Sequence, residues 1–300
     1  MFYSPLRYPG GKNKLAAFIA KICLDNGKDG HYVEPYSGGA SVALFLLIEG
    51  YVEKITINDK DRSIYAFWHS VLRKTDELCN LIQESEFSVK EWRKQRNIQK
   101  EKKQVDLLTL GYSTFYLNRT NRSGIISGGL MGGVNQDGNY LMDCRFNKKE
   151  LISRIRLIAS QKKNIRLYKK DAIKLIDKIQ VESKNEKTIF YFDPPYYLKA
   201  DSLYMNHYDD DNHRIVSEKI KSIKNISWIV SYDNTKQIKL LYKECKKKEY
   251  SFKHTAYEVR EGKELLFFSS DLKEPRIKNY DPIKFNVKRY QTRKEIVHRN

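Results

Sequence analysis

The sequence lacks the patterns that mark membrane, secreted and metal-binding proteins. Its 300 residues contain no run of about 18 apolar residues, the length that a membrane-spanning helix needs. The N-terminal stretch MFYSPLRYPGGK has no apolar core of the kind found in a signal peptide. The four cysteines, Cys23, Cys79, Cys144 and Cys245, are too scattered for a zinc site or a disulfide framework. We therefore expect a cytoplasmic protein with reduced thiols and no membrane segment.

Negative charge is also scarce. The chain has 56 Lys and Arg against 37 Asp and Glu, which gives a formal net charge of +19. Basic residues cluster in 90–103, in 162–170 and in the tail from Lys273. An excess of this size favours a polyanionic partner such as nucleic acid, although a solvated lysine-rich surface gives the same count.

Strand and helix patterns alternate over most of the chain. In the first hundred residues, apolar periodicity and glycine punctuation predict a helix over 13–27, a strand over 31–35, a helix after the glycine turn at 38–39, a strand over 54–59 and one amphipathic helix over 62–82. This order is a βαβ unit, which predicts a mainly parallel sheet. The alternation resumes after residue 160, and 251–259 and 263–270 look like a closing antiparallel pair.

Residues 85–160 break this rhythm. A basic helix leads into a polar stretch that holds seven of the 15 glycines, between Gly111 and Gly138. A loop of this length inside a compact enzyme is usually functional or disordered. We interpret 85–160 as an inserted domain, 1–84 with 161–272 as the core, and 273–300 as a basic tail.

The first strand–turn–helix junction suggests a cofactor site. VEPYSGGAS places glycines directly after a strand and before a helix, where a ligand can approach the backbone. The next strand ends in INDKD, and an acid there commonly accepts hydrogen bonds from ribose hydroxyls. We assign that role to Asp59, with Asp61 as the second choice, and predict an adenosine-bearing cofactor. The alternative is that either aspartate caps the next helix.

Two nucleotide-binding motifs are absent. The stretch LRYPGGKNK, which begins at Leu6, has that leucine at the first glycine of the phosphate-loop motif G-x-x-x-x-G-K-[ST], and an asparagine, Asn13, after its lysine. In this stretch Lys12 could instead meet a carboxylate, and Tyr8 could cover a ring. G-x-G-x-x-G is also missing, which counts against a nucleotide-dependent dehydrogenase.

The stretch IFYFDPPYYLK begins at Ile189 as an apolar strand and ends in an acid, two prolines and two tyrosines. An ordinary turn after a strand does not need this combination. An exocyclic base amine is a poor nucleophile because its lone pair is delocalised into the ring, and two acceptors on its hydrogens would localise that pair. Asp193 supplies one acceptor and the Pro194 carbonyl the other, and the prolines add no competing donor. Tyr196 offers a face on which a flipped base can stack. The predicted chemistry needs positioning and no metal, and Tyr197 has no assigned role.

Five motifs in this order, RYPGGK, VEPYSGGAS, IND, FYLNRTNRSGI and DPPYY, resemble the Dam-like, alpha-type family of adenine-N6 DNA methyltransferases. The resemblance implies an α/β fold: a Rossmann-like S-adenosylmethionine-dependent core, with a mostly parallel sheet and an antiparallel C-terminal strand, and an inserted, mainly helical target-recognition domain. It implies site-specific methyl transfer from S-adenosylmethionine to the N6 of a flipped adenine in double-stranded DNA. A restriction endonuclease of the same restriction–modification system is then a candidate partner.

The resemblance also implies which residues hold the cofactor. From the N-terminal segment to the fourth strand they are Tyr8, Lys12, Pro35, Tyr36, Gly38, Asp59, Asp171 and Asp193. Asp171 would lie near the cofactor adenine, and Asp193 would contact both the methionine amino group and the target amine. The residue-level argument supports Asp59 and Asp193 independently.

The loop NRTNRSG departs from the aromatic NRYGYNG form of relatives that read GATC. Thr120 and Asn121 stand where that form has rings, so we expect no aromatic wedge and predict no recognition sequence. Asn118, Arg119, Asn121 and Arg122 can donate to base edges or phosphates, with Arg122 the candidate for a base contact. The alternative is that they close the loop through hydrogen bonds.

The acidic stretch HYDDDNH, residues 207–213, follows the DPPYY motif. Its aspartates can cap the next helix. We expect no metal there, since the predicted chemistry uses none.

Two alternative functions remain at this level. The same hydrogen-bond chemistry serves cytosine-N4 and RNA adenine methylation, although Asp193, where a cytosine enzyme of the family would have serine, favours adenine. The chain could instead be a catalytically silent DNA-binding module, and its intact Lys12, Asp59 and Asp193 argue against that.

Overall fold

The computed structural model describes residues 2–7, 12–183, 187–197, 209–254, 260–275 and 282–283, with the backbone alone for 251–254 and 260–262. Seven strands form one sheet. In chain order they are β1 (His31–Glu34), β2 (Lys54–Asn58), β3 (Ile165–Tyr168), β4 (Thr188–Phe192), β5 (Ser227–Asp233), β6 (Lys246–His254) and β7 (Arg260–Phe268).

The sheet has the order β3-β2-β1-β4-β5-β7-β6. The four pairs among β1 to β5 are parallel. Strand β7 runs antiparallel to both β5 and β6, so it is the one reversed strand of this sheet. The predicted α/β fold, with its mostly parallel sheet and antiparallel C-terminal strand, is confirmed. The expected pairing of the last two strands is also confirmed.

Ten helices accompany the sheet in the described ranges. They are α1 (Ala16–Asp25), α2 (Ser41–Ile48), α3 (Arg62–Arg73), α4 (Thr75–Gln83), α5 (Val89–Lys100), α6 (Leu107–Thr120), α7 (Lys148–Ser160), α8 (Ala172–Glu182), α9 (Asp210–Lys221) and α10 (Lys236–Leu241). Short 3-10 turns cover Lys12–Leu15, Arg122–Gly124 and Lys162–Asn164.

The prediction of a single helix over 62–82 was wrong. The chain forms α3 and α4, separated at Lys74, whose φ of −136° and ψ of 45° are not helical. Asp76 and Glu77 occupy the first turn of α4, where they favour the start of a new helix. The apolar periodicity continues across the break, which is why the sequence pattern does not reveal it.

Apolar side chains are buried on both faces of the sheet. Along β4, Ile189 and Tyr191 belong to the cluster on one face, while Phe190 and Phe192 belong to the cluster on the other. The first cluster includes α1 to α4, and the second includes α8 to α10. A strand buried on both faces reads as a continuous hydrophobic run, as IFYF does.

Residues 85–160 contain α5, α6 and α7 and pack against α3. The ring of Phe115 on α6 stacks on Phe67 of α3 with centroids 5.8 Å apart. A Cβ on Gly111 would lie 2.7 Å from the Ala66 carbonyl oxygen, so α6 approaches α3 at backbone distance. The helical character of this segment agrees with the sequence, and its role as a separate recognition domain stays a prediction.

Across the part of the chain that the structure describes, no helix is long and apolar enough to cross a membrane.

Candidate active site

A crevice opens where β1 and β4 end side by side. The chain continues from β1 to β2 on one side of the sheet and from β4 to β5 on the other, which makes this the topological switch point where α/β sheets bind ligands. A cavity of about 570 Å³ lies there. Seven of the predicted site residues line it: Lys12, Pro35, Tyr36, Gly38, Asp59, Asn118 and Asp193.

The turn after β1 is fixed by its glycine. Gly38 has a φ of 44°, which favours a residue without a side chain. Its N–H donates to Oδ2 of Asp59 at 3.1 Å, and its carbonyl accepts from Trp68 Nε1 at 2.8 Å. Pro35 and Tyr36 line the cavity beside it. The backbone of this turn therefore forms one wall of the cavity, as the sequence predicts.

Asp59 and Asp61 have different tasks. Asp61 caps α3 by accepting from the Ser63 N–H at 2.6 Å, and Lys102 lies 3.2 Å from its other oxygen. Asp59 accepts from the backbone N–H groups of Gly38 and Asp61 and lies at the cavity wall. Burial raises the pKa of Asp59 to about 7, against the opposing effect of these two donors. Both aspartates line the cavity, but the cap that we weighed as an alternative belongs to Asp61, so Asp59 is the one that caps no helix.

Asn58 is a structural residue of the site that sequence reasoning missed. Its side chain donates to the carbonyl oxygens of Pro35 at 2.8 Å and Lys170 at 3.0 Å, and accepts from the Lys170 N–H at 2.8 Å. It is completely buried. Asn58 therefore ties the ends of β1, β2 and β3 together. The available signal was a polar residue at the last position of a buried strand.

Asp171 lies beside the cavity after β3. Its side chain caps α8 by accepting from the Ile173 N–H at 3.0 Å, and Lys60 pairs with it at 3.2 Å. Its neighbours Lys170 and Ala172 line the cavity. Its contact with a cofactor adenine stays a prediction. Tyr8, which the resemblance also assigns to the cofactor, lies outside the described residues.

A buried acid that we had not assigned lines the cavity at the end of β1. Glu34 accepts from the Tyr32 hydroxyl at 3.1 Å and from the Ala43 N–H at 3.0 Å. Burial raises the pKa of Glu34 to about 8. The carboxyl group is therefore mostly uncharged at neutral pH, and it can act as a neutral polar wall.

Lys12 and Ser231 meet Asp193 at the same oxygen. Its Oδ1 lies 3.0 Å from Lys12 Nζ and accepts from Ser231 Oγ at 2.8 Å. Within the described ranges, Oδ2 accepts no hydrogen bond, and Asp193 lines the cavity. Burial raises the pKa of Asp193, and the Lys12 ammonium opposes that shift. Burial lowers the pKa of Lys12, but the carboxylates of Asp193 and Glu264 outweigh it, so the net shift is upward.

Tyr196 does not offer the open stacking face that the sequence suggested. Its side chain is only 2% exposed, and its hydroxyl lies in hydrogen bonds between Lys12 and Glu264. Glu264, from β7, also accepts from the Tyr250 hydroxyl of β6 at 2.5 Å. The expectation is corrected because the two charged groups hold the ring inside the protein. Sequence reasoning missed Glu264, since it is 68 residues from Tyr196 in the chain.

The rest of the DPPYY motif forms a rigid base for the loop. Pro194 and Pro195 are buried, and Pro195 lines the cavity. Tyr197, to which we gave no role, donates its backbone N–H to Asp233 at 3.0 Å and its hydroxyl to Asp210 at 2.6 Å. Tyr197 thereby anchors the loop to the end of β5 and the start of α9.

Two predicted DNA-contacting side chains are turned inward. Asn118 accepts from the Arg7 N–H at 2.7 Å and donates to the carbonyl oxygens of Arg7 and Gly124. Arg119 donates to the Pro5 carbonyl oxygen at 2.8 Å, and burial lowers the pKa of Arg119 to about 9. Both side chains are buried and hydrogen-bonded to backbone groups. The structure therefore supports the alternative that they close the loop, and not the predicted DNA contacts.

The same correction applies to Asn121 but not to Arg122. Asn121 is completely buried, accepts from Trp92 Nε1 at 2.7 Å and donates to the carbonyl oxygens of Ile125 and Ile126. Arg122 is exposed on the surface of the loop. Of the four predicted DNA contacts, Arg122 is the one whose side chain stays accessible.

The acidic stretch after the DPPYY motif caps a helix. Asp209 accepts from the Asn212 N–H at 2.7 Å at the start of α9, as predicted. Among the described residues, no group of three or more His, Cys, Asp or Glu could hold a metal ion.

Comparison with known proteins gives the family. A family model described as D12 class N6 adenine-specific DNA methyltransferase matches residues 8–259. The Type II methyltransferase M.MjaIII of Methanocaldococcus jannaschii is 25% identical over 205 residues, which cover 64% of this chain and 68% of that protein.

Two solved structures are also similar. The rRNA methyltransferase aviRa from Streptomyces viridochromogenes aligns with a TM-score of 0.34 and 10% identity over 84% of each chain. SMU.472, whose structure is titled a putative methyltransferase complexed with SAH, aligns with a TM-score of 0.31 and 13% identity over 86% of this chain and 52% of its own. Both scores are low, and the fold assignment depends on the strand order of this chain.

Proposed function

This chain belongs to the D12 class of N6 adenine-specific DNA methyltransferases, and on that premise we propose which of its residues bind the cofactor and carry the reaction. The enzyme transfers a methyl group from S-adenosylmethionine to the exocyclic N6 of adenine in DNA. The proposed site is the cavity at the ends of β1 and β4. One observation carries the proposal: Asp193 lies at the wall with Oδ1 held and Oδ2 without a hydrogen bond from the described residues.

The β1–β2 part of the cavity fits the cofactor. S-adenosylmethionine supplies an electrophilic methyl group when it is bound. Asp59 would accept hydrogen bonds from its ribose hydroxyls, and the turn at Pro35, Tyr36 and Gly38 would line its path. Asp171 would lie near the cofactor adenine. The supporting observation is a half-buried carboxylate fixed by backbone N–H groups at the end of β2.

The β4 end would activate the target amine. Oδ2 of Asp193 and the Pro194 carbonyl would accept its two hydrogens, which localises the nitrogen lone pair toward the methyl group. Asp193 would also stabilise the positive charge that develops on nitrogen and accept its proton. The upward shift of the Asp193 pKa, caused by burial, favours that last step. Lys12 and Ser231 would hold the carboxylate in place from the other side.

The DNA surface would use exposed basic side chains. Arg122 is accessible on a loop whose base, Gly124–Ser127, lines the cavity. The net charge of +19 supports contacts with phosphates. Residues 85–160 would therefore contribute to target recognition through Arg122, while Asn118, Arg119 and Asn121 shape the loop.

We place the enzyme in the cytoplasm with its double-stranded DNA substrate, and the four free cysteines support that assignment. A restriction endonuclease of matching specificity is the proposed partner. The support is the name of the M. jannaschii relative, a Type II methyltransferase. Protection of methylated DNA from a nuclease encoded beside the enzyme would test this pairing.

The function is tested by nucleoside mass spectrometry after incubation of the protein with DNA and S-adenosylmethionine. We expect N6-methyladenine from the wild-type protein and none from Asp193→Ala, which should stay folded and bind DNA. Asp177→Ala, which removes an exposed acid on α8, is the matched control and should keep full activity. Sequencing that detects methylated bases would then give the recognition site.

Other products decide between the alternatives. N4-methylcytosine as the product, or methylation of RNA alone, would replace the substrate and keep the chemistry. Failure to bind S-adenosylmethionine in calorimetry would favour a silent DNA-binding module. Unchanged turnover in Asp193→Ala would overturn the assignment of the catalytic acid.

A further inference from the structure

Glu264 is a second buried acid behind the catalytic aspartate. It lies on β7, opposite Tyr250 of β6 and beside Asp233 of β5, and is 1% exposed. Its Oε1 accepts the Tyr196 hydroxyl, and its Oε2 accepts the Tyr250 hydroxyl at 2.5 Å. Lys12 Nζ lies 3.6 Å from Oε2. The side chains of Tyr196, Tyr250 and Lys12 thus all contact the Glu264 carboxylate.

Lys12 is shared between two acids. One ammonium, Lys12, lies between two carboxylates, those of Asp193 and Glu264. A buried pair of Lys12 and Asp193 would already be neutral, and a further buried carboxylate adds a desolvation cost. The two tyrosine hydroxyls offset part of that cost by donating to Glu264. Glu264 therefore contacts the same ammonium as the catalytic aspartate, which places it to influence how Lys12 meets Asp193.

The geometry shows what Glu264 constrains. Lys12 contacts Asp193 at Oδ1 and is held from the opposite side by Glu264 and the Tyr196 hydroxyl. Without Glu264, the ammonium would lose one of the groups that draw it away from Oδ2 of Asp193. An ammonium on Oδ2 would compete with the target amine for that acceptor.

We propose that Glu264 is a positioning residue for methyl transfer: it holds Lys12 and Tyr196 so that Lys12 engages only Oδ1 of Asp193 and Oδ2 stays available to the adenine amine. The inference depends on the proposed role of Asp193. It assigns to the antiparallel strand β7, which has no part in any of the motifs, a direct influence on the catalytic carboxylate.

Electrostatics act in the same direction. Burial is the largest cause of the raised pKa of Asp193, and the negative charge of Glu264 adds to it while Lys12 opposes it. A more basic carboxylate is a stronger hydrogen-bond and proton acceptor. The titratable groups that face Asp193 from the surrounding elements are Lys12, Glu34, Tyr191, Tyr196, Tyr250 and Glu264.

The test compares Glu264→Gln with Glu249→Gln. Glu249 is an exposed acid on β6 next to Tyr250 that pairs with Lys263 and Asn234, so the control makes the same chemical change outside the site. We expect Glu264→Gln to lower kcat at least about tenfold while the KM for DNA stays within a factor of about two. The acid limb of the kcat–pH profile should move to lower pH, because Asp193 loses a neighbouring negative charge.

A purely structural role would give a different result. In that case Glu264→Gln would lower activity equally at every pH, and the acid limb would stay in place. Either that outcome or a wild-type kcat in Glu264→Gln overturns the inference. If the wild-type protein itself methylates no DNA, the proposed function fails instead, so the two failures are distinguishable.

Glu264→Asp covers the case in which Glu264→Gln does not fold. It keeps the charge but withdraws the carboxylate from Lys12 and Tyr196 by one methylene. We expect a folded enzyme with lower kcat and an acid limb near that of the wild type. Wild-type kcat in Glu264→Asp would contradict the positioning role.

Discussion

The two sides of the cavity hold their acids by different means. On the cofactor side, formed by the turn after β1 and the end of β2, Asp59 is fixed by the backbone N–H groups of Gly38 and Asp61. On the catalytic side, formed by the end of β4 with its neighbours β5 and β7, Asp193 is fixed by the side chains of Lys12 and Ser231. The position of the Asp59 carboxylate therefore depends on the backbone path of the turn. The position of the Asp193 carboxylate depends on which side chains distant parts of the sequence supply.

This difference has a physical consequence. Backbone donors do not depend on side-chain identity, so the cofactor side resists substitutions around Asp59 other than at Gly38, whose positive φ sets the turn. A side-chain network loses a partner with each substitution, and a buried charge left alone is costly. The catalytic side should therefore be the more fragile one, in stability as well as in activity.

Removal of Lys12 should have the largest effect. Lys12→Met removes the ammonium that contacts both the half-buried carboxylate of Asp193 and the buried carboxylate of Glu264, and we expect a loss of about 3–5 kcal/mol in the free energy of unfolding. Protonation relieves buried carboxylates, so the loss should be greatest at high pH and shrink as the pH falls. Urea unfolding at several pH values would measure it.

The control for Lys12→Met is Lys74→Met. Lys74 pairs with Glu77 at 3.0 Å on the surface and is 52% exposed, so its removal should cost less than about 1 kcal/mol. Methyl transfer should also be lost in Lys12→Met alone. Equal losses of stability in the two variants would mean that the catalytic side is no more fragile than the surface.

Asp59→Asn should produce the next largest effect, confined to cofactor binding. Hydrogen bonds to a charged acceptor contribute about 1.5–3 kcal/mol, which corresponds to roughly ten- to hundredfold in cofactor affinity. Asp61→Asn is the matched control, because asparagine also caps helices well and the affinity should stay near wild type. A larger loss of affinity in Asp61→Asn, measured by calorimetry, would transfer the ribose contact to Asp61.

The same contrast separates what the sequence revealed from what it did not. Asp59 follows directly after a strand and its donors are within 21 residues, so the β-turn-α pattern was enough to place it. The partners of Tyr196 are 184 and 68 residues away, and no spacing rule connects Lys12, Tyr196 and Glu264. Long-range burial, which decides whether Tyr196 is open or packed, depends on the register of β6 and β7.

The loop at 118–122 shows the same limit. The pattern NRTNR identifies polar donors at a turn, but donors also satisfy buried backbone carbonyls. Asn118 and Asn121 do so, and only the folded position of Arg7 and Ile125 reveals it. Composition could predict that the loop is polar, while the direction of each side chain required the structure.

Cofactor affinity should depend on pH through Asp59. Burial raises the pKa of Asp59 to about 7, so the fold favours its protonated form and this contribution to stability is lost as the pH rises through that value. Ribose hydroxyls require the carboxylate, so affinity should rise roughly tenfold between about pH 6 and pH 8. Calorimetry should also show proton release on binding.

Asp59→Asn identifies the source of that pH dependence. Glu34 also lines the cavity, and burial raises its pKa to about 8, so it titrates in a neighbouring range. Affinity in Asp59→Asn should be flat between about pH 6 and pH 7.5 if Asp59 is the responsible group. A slope that persists in the variant would assign the effect to Glu34.

Ser231→Ala should have the smallest effect on kcat among these variants. It also tests whether the catalytic side can be changed without any change in cofactor affinity. Ser231 is completely buried and donates to Oδ1 of Asp193, so its loss removes one of two groups that orient the acid. We expect kcat to fall roughly fivefold, about 1 kcal/mol, with cofactor affinity unchanged. Ser217→Ala on α9, whose buried hydroxyl bonds the Arg214 carbonyl, should leave both quantities at wild-type values. If Ser231→Ala weakens cofactor binding as much as it slows the reaction, the two sides act as one unit, and the backbone-held acid depends on the side-chain network after all.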